Sequence, residues 1–285
     1  ILEEYLDQNL EEFGVDRYFR ALDIQNARES RWLAEFPHRL GDGWRTNPDI
    51  AIKIAAPNRQ KMTGWGDYHF ARGLARAFSG LGHRVSIDAK DSWYQNSRRG
   101  GIDLVIRGRT HFKRQPGRKS FFWNISKGMR EINYQQADHV FWASKKAYDE
   151  AVENHGEETS TLLPQAFDAE LMNCRGQEER DGIVFVGRRR SGSSRKAVHY
   201  AHVAGEQFSI WGPGWDGTAY ASHLAAYGIN NCKVPALYRS AEIVLNDHTP
   251  AMKNRGILSN RVFDTLACGA IPVSEDVGWL PNDIA

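Results

Sequence analysis

Cysteines, long apolar runs and net charge are all scarce in this sequence of 285 residues. Only Cys174, Cys232 and Cys268 are present, and none forms a C-x-x-C pair, so we expect neither a disulfide framework nor a metal site. No apolar run approaches the roughly 18 residues of a membrane-spanning helix. The first residues, ILEEYLDQNLEEF, are acidic where a signal peptide is basic. These absences favour a cytoplasmic protein, at the inner face of the membrane if its substrate is lipid-linked.

The overall charge is nearly balanced, with 37 basic and 35 acidic residues giving a net charge of +2. Such a charge implies no general attraction to nucleic acid, and no nucleic-acid-binding motif is present, so we expect no nucleic-acid partner. The basic residues are nevertheless concentrated in two stretches, 98–119 and 188–196. The first stretch is either a solvated face or the contact surface of an anionic ligand.

Three regions differ in their hydrophobic pattern. Residues 1–48 have apolar side chains at helical spacing, which predicts a helical extension. Residues 49–165 and 166–285 each alternate strand-length apolar runs with helical segments, which is typical of βαβ units and a parallel sheet. We therefore expect an α/β protein with two Rossmann-like domains, whose ligands bind beyond the carboxyl ends of the strands.

Two glycine-containing loops follow predicted strands of the second domain. In VFVGRRR, Gly187 ends a strand, Arg188 follows, and Lys196 lies near the start of the next helix. A diphosphate there would meet backbone N–H groups and two cations. In WGPGW, Gly212 would let a ligand approach the backbone. An ordinary turn is the alternative at both places.

The segment LSNRVFDTLACG predicts a capped helix near the end of the chain. Ser259 or Asn260 is a suitable N-cap, Arg261 lies in the first turn, and Asp264 lies on the face of Asn260. Open N–H groups at this helix start would suit a phosphate, and Asp264 would accept hydrogen bonds from ribose hydroxyls. An ordinary surface acid is the alternative for Asp264.

Three further polar residues are candidates for contact with the reacting groups. Asp67 and His69 lie where a glycine-containing loop meets a helix, and His248 lies just after a strand. Either histidine would hydrogen-bond a sugar hydroxyl or a phosphate, although a histidine at a strand end is often a structural group.

The segments FVGR, WGPGW, VPALYRSAEIVLNDH and SNRVFDTLACGAIPVSEDVGWLP together resemble the donor domain of GT-B glycosyltransferases. The similarity covers about residues 50–285 and is closest to family 4 and its spore-maturation (CgeB-like) relatives. It implies two Rossmann-like domains facing across a cleft, with the acceptor in the first domain and a nucleotide-sugar donor in the second. It also implies a retaining, metal-independent reaction with no cofactor besides the nucleotide sugar, in a process such as polysaccharide biosynthesis.

Carried over by position, the resemblance puts Arg188 and Lys196 at the donor diphosphate and Ser259 and Asn260 at a phosphate-binding helix start. Asp264 falls on the second acid of the family's Glu-x7-Glu motif, which holds the ribose. Gly256 occupies the position of the first acid, and the family's cleft histidine is replaced by Asn124, Ser126 and Lys127. The family's last helices have no counterpart after Ala285, so we expect a piece of a longer protein.

These observations predict a glycosyltransferase acting on a glycan or lipid-linked acceptor, which would be anionic if the basic stretch contacts it. Two alternatives remain open at this point. One is a non-catalytic nucleotide- or glycan-binding module, motivated by Gly256. The other is a sugar-nucleotide epimerase on the same architecture.

Overall fold

The computed structural model describes residues 48–95, 100–107, 110–126, 128–176, 179–189 and 195–281. Their strands form two parallel sheets, one of six strands and one of five. The two parallel-sheet, Rossmann-like domains predicted from the sequence are confirmed. The predicted helical extension, except for Pro48, lies outside the described residues.

The first sheet has the strand order β2-β1-β3-β4-β5-β6. Its strands are β1 (Ile50–Lys53), β2 (Val85–Asp88), β3 (Ile102–Ile106), β4 (Lys119–Asn124), β5 (His139–Trp142) and β6 (Ser160–Leu162). The central strands are buried along their whole length, as expected for a parallel sheet covered on both faces. Helix α1 (Gly66–Gly80) packs Phe70, Leu74 and Phe78 onto one face, around Ile52 and Leu104.

The second sheet has the strand order β11-β10-β7-β8-β9. Its strands are β7 (Ile183–Val186), β8 (Phe208–Trp211), β9 (Leu224–Ala226), β10 (Ile243–Asn246) and β11 (Ile271–Ser274). The predicted boundary at residue 165 falls between the last strand of the first sheet and β7, and it stays a prediction.

Six helices besides α1 lie within the described residues. They are α2 (Glu131–Tyr134), α3 (Lys145–His155), α4 (Lys196–Val203), α5 (Val234–Ser240), α6 (Pro250–Lys253) and α7 (Asn260–Ala267). Short 3-10 helices occupy Met62–Gly64, Ala221–His223 and Asn231–Lys233. None of the helices in the described part of the chain has the length and apolar character needed to cross a bilayer.

The segment 254–258, just before α7, joins the two domains. Its carbonyl oxygens accept hydrogen bonds from four side chains: Lys146 to Asn254 (3.1 Å), Gln165 to Leu258 (2.9 Å), Ser144 to Arg255 and Trp279 to Gly256. Three of these donors belong to residues 144–165, and Ser144 closely follows β5. The carboxyl edge of the first sheet therefore lies against the residues that precede α7.

Candidate functional site

The loop after β7 is held by the loop after β8. The N–H of Gly187 donates to the carbonyl of Trp211 (2.9 Å), and the indole N–H of the fully buried Trp215 donates to the carbonyl of Gly187 (3.0 Å). A Cβ at Gly212 would collide with the carbonyl oxygen of Gly187. Gly212 is thus required for the close approach of two backbones, whereas the sequence suggested a ligand contact.

Three exposed cations follow strands of the second sheet along the chain: two after β7 and one after β10. Arg188 is exposed and has no hydrogen-bond or ion-pair partner among the described residues. Lys196 begins α4, and its half-exposed side chain lies 3.7 Å from Glu275. Lys253 lies 3.4 Å from the same carboxylate. All three are exposed to solvent, and binding of a diphosphate by Arg188 and Lys196 stays a prediction.

Glu275, directly after β11, is a site residue that sequence reasoning missed. Its Oε2 accepts the backbone N–H of His248 (3.0 Å), and its Oε1 faces Lys196 and Lys253. Burial alone would raise the pKa of this carboxyl, but the His248 N–H and the two lysines outweigh burial and lower it. Glu275 is therefore ionised beside the cations.

Arg195 and Asp247 form a second missed pair at this edge. The guanidinium lies 3.0 Å from the Asp247 carboxylate and packs over the Phe185 ring at 4.7 Å. Both side chains are almost fully buried. The signal in the sequence was a basic residue just before a helix and an acid just after a strand, and only the fold joins the two.

The start of α7 is less open than the sequence suggested. The hydroxyl of Ser259, the N-cap, accepts the backbone N–H of Arg261 (3.4 Å), and Nε2 of His248 accepts the backbone N–H of Ser259 (3.0 Å). The N–H of Asn260 has no partner among the described residues. Among the described residues, one N–H rather than a full set is therefore left without a protein partner at this helix start.

Arg261 ties α7 to the strand ends. Its guanidinium donates to the side-chain oxygen of Asn246 (2.9 Å) and to the carbonyl of Val186 (2.6 Å). The same group lies 5.3 Å from the Phe185 ring centroid. Most of its donors are directed at the protein, so Arg261 positions the helix start more than it offers charge to a ligand.

Asp264 lies one turn into α7, where its Oδ2 accepts a hydrogen bond from the Asn260 amide (3.0 Å). Burial raises the pKa of this carboxyl to about 7, against the opposing effects of Asn260 and Arg261. Asp264 is thus not an ordinary surface acid. It is a half-buried carboxyl poised near neutrality, close to the free N–H of Asn260.

His248 is held as a neutral imidazole. Burial lowers its pKa to about 4. Because Nε2 accepts the Ser259 N–H, the proton lies on Nδ1, which is buried and has no hydrogen-bond partner. His248 therefore connects the end of β10 to the start of α7 and keeps one unused donor.

Asp67 and His69 lie in the first domain, in the first turn of α1. Asp67 is 2% exposed, and its Oδ1 lies 2.5 Å from the guanidinium of Arg107. Burial raises the pKa of Asp67, while Arg107 opposes that shift. His69 donates from Nε2 to the carbonyl of Thr63 (3.1 Å), and burial lowers its pKa. The structure thus places the other candidates around the second sheet and these two in the first domain, with no contact between the two groups among the described residues.

The first basic stretch is not one anion-binding face. Arg118 is 3% exposed and donates to Asp103 (2.8 Å). It therefore belongs neither to a solvated face nor to a contact surface for an anionic ligand. Arg114 and Lys119 both pair with Asp138, at 2.9 and 3.2 Å. Arg98, Arg99 and Arg109 lie outside the described residues.

Gly256, at the position of the missing acid, has a left-handed backbone with φ of 65°. A Cβ there would lie 3.2 Å from the Trp279 ring and 3.3 Å from the carbonyl of Val277. An acidic side chain is therefore disfavoured by backbone conformation and by packing. Within the described residues, no group of three or more His, Cys, Asp or Glu side chains is placed to hold a metal ion.

Comparisons with known proteins agree with this architecture. Residues 189–282 match the family described as glycosyl transferase-like. An α-glucosyltransferase in complex with UDP and a 13-mer DNA has a TM-score of 0.56 at 11% identity, with 80% of each chain covered. A glycosyltransferase involved in avilamycin A biosynthesis has a TM-score of 0.56 at 14% identity, covering 80% of this chain and 79% of its own.

A DNA-modifying β-glucosyltransferase, solved with and without uridine diphosphoglucose, has a TM-score of 0.50 at 12% identity, covering 80% of this chain and 79% of its own. No curated protein matches the sequence significantly. The fold is GT-B. At these identities the solved structures show the fold alone, while the family match covers the part of the second domain from residue 189 onward, which includes Lys196 and Lys253 but not Arg188.

Proposed function

We propose that this protein is a glycosyltransferase that takes its sugar from a nucleoside diphosphate donor bound at the carboxyl edge of the second sheet. The observation that carries the proposal is the set of exposed cations, Arg188, Lys196 and Lys253, beside the Asn260 N–H and the Asp264 carboxyl. Cleavage of the anomeric bond leaves negative charge on the diphosphate. Positioned cations stabilise that charge in the transition state.

The nucleotide, the means of neutralising the diphosphate and the stereochemistry of transfer are also proposals. We propose UDP as the nucleotide, because structures of similar fold were solved with UDP or uridine diphosphoglucose. We propose that side-chain cations rather than a metal ion neutralise the diphosphate, supported by their exposure at this edge. Retention of configuration and the CgeB-like relationship rest on the sequence resemblance alone.

For the acceptor we propose a glycan or a lipid-linked sugar, handled in the cytoplasm or at the inner membrane face. An anionic acceptor is disfavoured because Arg114, Arg118 and Lys119 bind the protein's own carboxylates. Two of the similar structures are of enzymes described as acting on or binding DNA. We nonetheless keep the prediction of no nucleic-acid partner, because the net charge is only +2.

One observation favours a second candidate, a non-catalytic nucleotide-binding module. The acid that the resembled family uses would be strained at Gly256, since the backbone there is left-handed and the surroundings are packed. Such a module would bind the nucleotide without transferring or hydrolysing the sugar.

The test is thermal unfolding of the full protein with UDP-, GDP-, CMP- and dTDP-sugars, followed by mass spectrometry of mixtures with oligosaccharide acceptors. A bound donor raises the melting temperature by mass action, and we expect UDP-sugars to do so. Transfer to an acceptor supports the enzyme, and binding without transfer supports the module. Sugar conversion without an acceptor would indicate an epimerase. No shift with any nucleotide sugar would overturn the donor site.

A further inference from the structure

The carboxyl edge of the first sheet carries a second cluster of polar groups, centred on Arg107. Arg107 directly follows β3 and has φ of 83°. It is the one residue other than glycine with positive φ in the described part of the chain. This conformation is unfavourable for an L-amino acid, and such strain is concentrated at binding and catalytic sites.

The strained backbone directs the Arg107 side chain to Asp67 in the first turn of α1, where the two groups lie 2.5 Å apart. Arg107 also donates its backbone N–H to the carbonyl of Trp123 (2.9 Å), next to Asn124 at the end of β4. Asp67, Arg107 and Asn124 thus come from three elements that meet at one edge of the sheet. We call them the Arg107 cluster.

Each member of the Arg107 cluster has a buried polar atom that finds no hydrogen-bond partner among the described residues. These atoms are Oδ2 of Asp67, Nε of Arg107 and Nδ2 of Asn124. Asp67 and Asn124 are both 2% exposed. Buried polar atoms are seldom left unpaired, because the desolvation is then uncompensated. The two nitrogens can therefore each donate a hydrogen bond to a ligand, and the carboxylate oxygen can accept one.

The cluster is also reachable. The side chain of Arg107 is 36% exposed. A Cβ added at Gly64 or Gly66, in the loop that leads into α1, would meet no atom within 4 Å. The loop above Asp67 therefore borders open space.

The charges of the cluster decide its ligand. A phosphate or carboxylate would meet the negative charge of Asp67, and a cation would meet Arg107. A sugar hydroxyl both donates and accepts hydrogen bonds, so it can satisfy a carboxylate oxygen and an N–H donor together. We propose that the Arg107 cluster binds hydroxyl groups of a neutral acceptor sugar. This proposal rests on the proposed glycosyltransferase function and names the acceptor chemistry.

The experiment measures acceptor and donor binding separately on the full protein. The acceptor probes are the methyl α-glycosides of glucose, galactose and mannose, followed by ligand-observed NMR, with glucose 6-phosphate as the anionic counterpart. The donor probe is UDP, followed by calorimetry. The variants are Arg107→Gln, Asp67→Asn and Arg107→Lys. The control is Arg114→Gln, which breaks another Arg–Asp pair of the same domain.

We expect at least one glycoside to bind the parent and Arg114→Gln. Its affinity should fall about tenfold or more in Arg107→Gln and Asp67→Asn, the loss expected for a hydrogen bond to a charged group. Arg107→Lys should recover part of the binding. UDP affinity should be the same in all four variants, which also shows that they are folded.

Three results would overturn the proposal. They are unchanged glycoside affinity in Arg107→Gln and Asp67→Asn, no binding of any of the three glycosides to the parent, or tighter binding of glucose 6-phosphate that is lost only in Arg107→Gln. If the glycoside results are as expected but UDP does not bind the parent, the sugar site stands and the proposed donor site fails.

Discussion

Both basic stretches of this protein hold an arginine buried against an acid, Arg118 in the first and Arg195 in the second, but they differ in the cations that remain exposed. In the first domain, Arg118 is buried against Asp103, and Arg114 shares Asp138 with Lys119. In the second domain, Arg188 is exposed without a partner among the described residues, and Lys196 only approaches Glu275 at 3.7 Å. The position of carboxylates in the folded chain therefore decides which cations stabilise the protein and which remain for a ligand.

The largest expected effect is on stability, in the first stretch. Replacing Arg118 by alanine leaves Asp103 buried without its closest cation, and breaking such a pair costs about 3–5 kcal/mol. Chemical denaturation of Arg118→Ala should show this loss of unfolding free energy. A loss below about 1 kcal/mol would mean that Lys53, 3.4 Å from Asp103, suffices as its partner.

The next effect is on ligand affinity, in the second stretch. Arg188→Ala and Lys196→Ala should each weaken UDP binding by about 1.5–3 kcal/mol, the range for hydrogen bonds to charged groups. Stability should barely change, since both side chains are exposed. Calorimetry with UDP and uridine separates the phosphate contribution to binding from the nucleoside contribution, because uridine lacks the phosphates. An equal loss of affinity for both ligands, or no loss for UDP, would show that Arg188 and Lys196 do not form the phosphate site.

Asp264 gives a smaller effect at the same edge. Asp264→Asn should weaken binding of UDP and of a UDP-sugar equally, by about 1–3 kcal/mol, because the expected contact is to the ribose. Calorimetry of both ligands on both proteins measures this. Unchanged affinity with an intact fold would show that the carboxyl does not touch the nucleotide.

The pH dependence of Asp264 has a defined sign. Its pKa is raised from 3.8 to about 7, so between these pH values the folded state holds the proton more tightly than the unfolded state. The unliganded protein should therefore lose stability from this group as pH rises through that window, and Asp264→Asn should not. Ribose hydroxyls favour the ionised carboxylate, so UDP affinity should rise towards pH 8 in the parent alone. A flat profile in both proteins would contradict this.

The smallest effect is expected for Arg114→Ala, because its pair with Asp138 is partly solvent-exposed. Pairs of this kind contribute about 0–1 kcal/mol. Chemical denaturation of Arg114→Ala and Arg118→Ala, measured in parallel, compares their losses of unfolding free energy. A similar loss in both variants would show that burial does not distinguish these two arginines.

Much of the fold could be predicted from local pattern. The strand-length apolar runs 102–106 and 183–186 form central strands, and KKAYDEAVENH, with helical spacing, forms α3. The edge strands β6 and β9 were missed because each has only three residues, too few for a period to be recognised. The predicted candidates of the second sheet lie around its carboxyl edge, because strand ends in a parallel sheet converge there.

Sequence by itself determined the elements, their order and the class of the fold, because hydrophobic period, caps and turns act between residues close along the chain. Tertiary structure alone decided the pairings. Arg107 pairs with Asp67, and Arg195 pairs with Asp247. His248 forms hydrogen bonds with Ser259 and Glu275. It also gave the N–H groups of Arg261 and Val262 protein partners and made an acid at Gly256 unfavourable. These outcomes depend on distances between groups far apart in the chain, and only the packing of two sheets sets those distances.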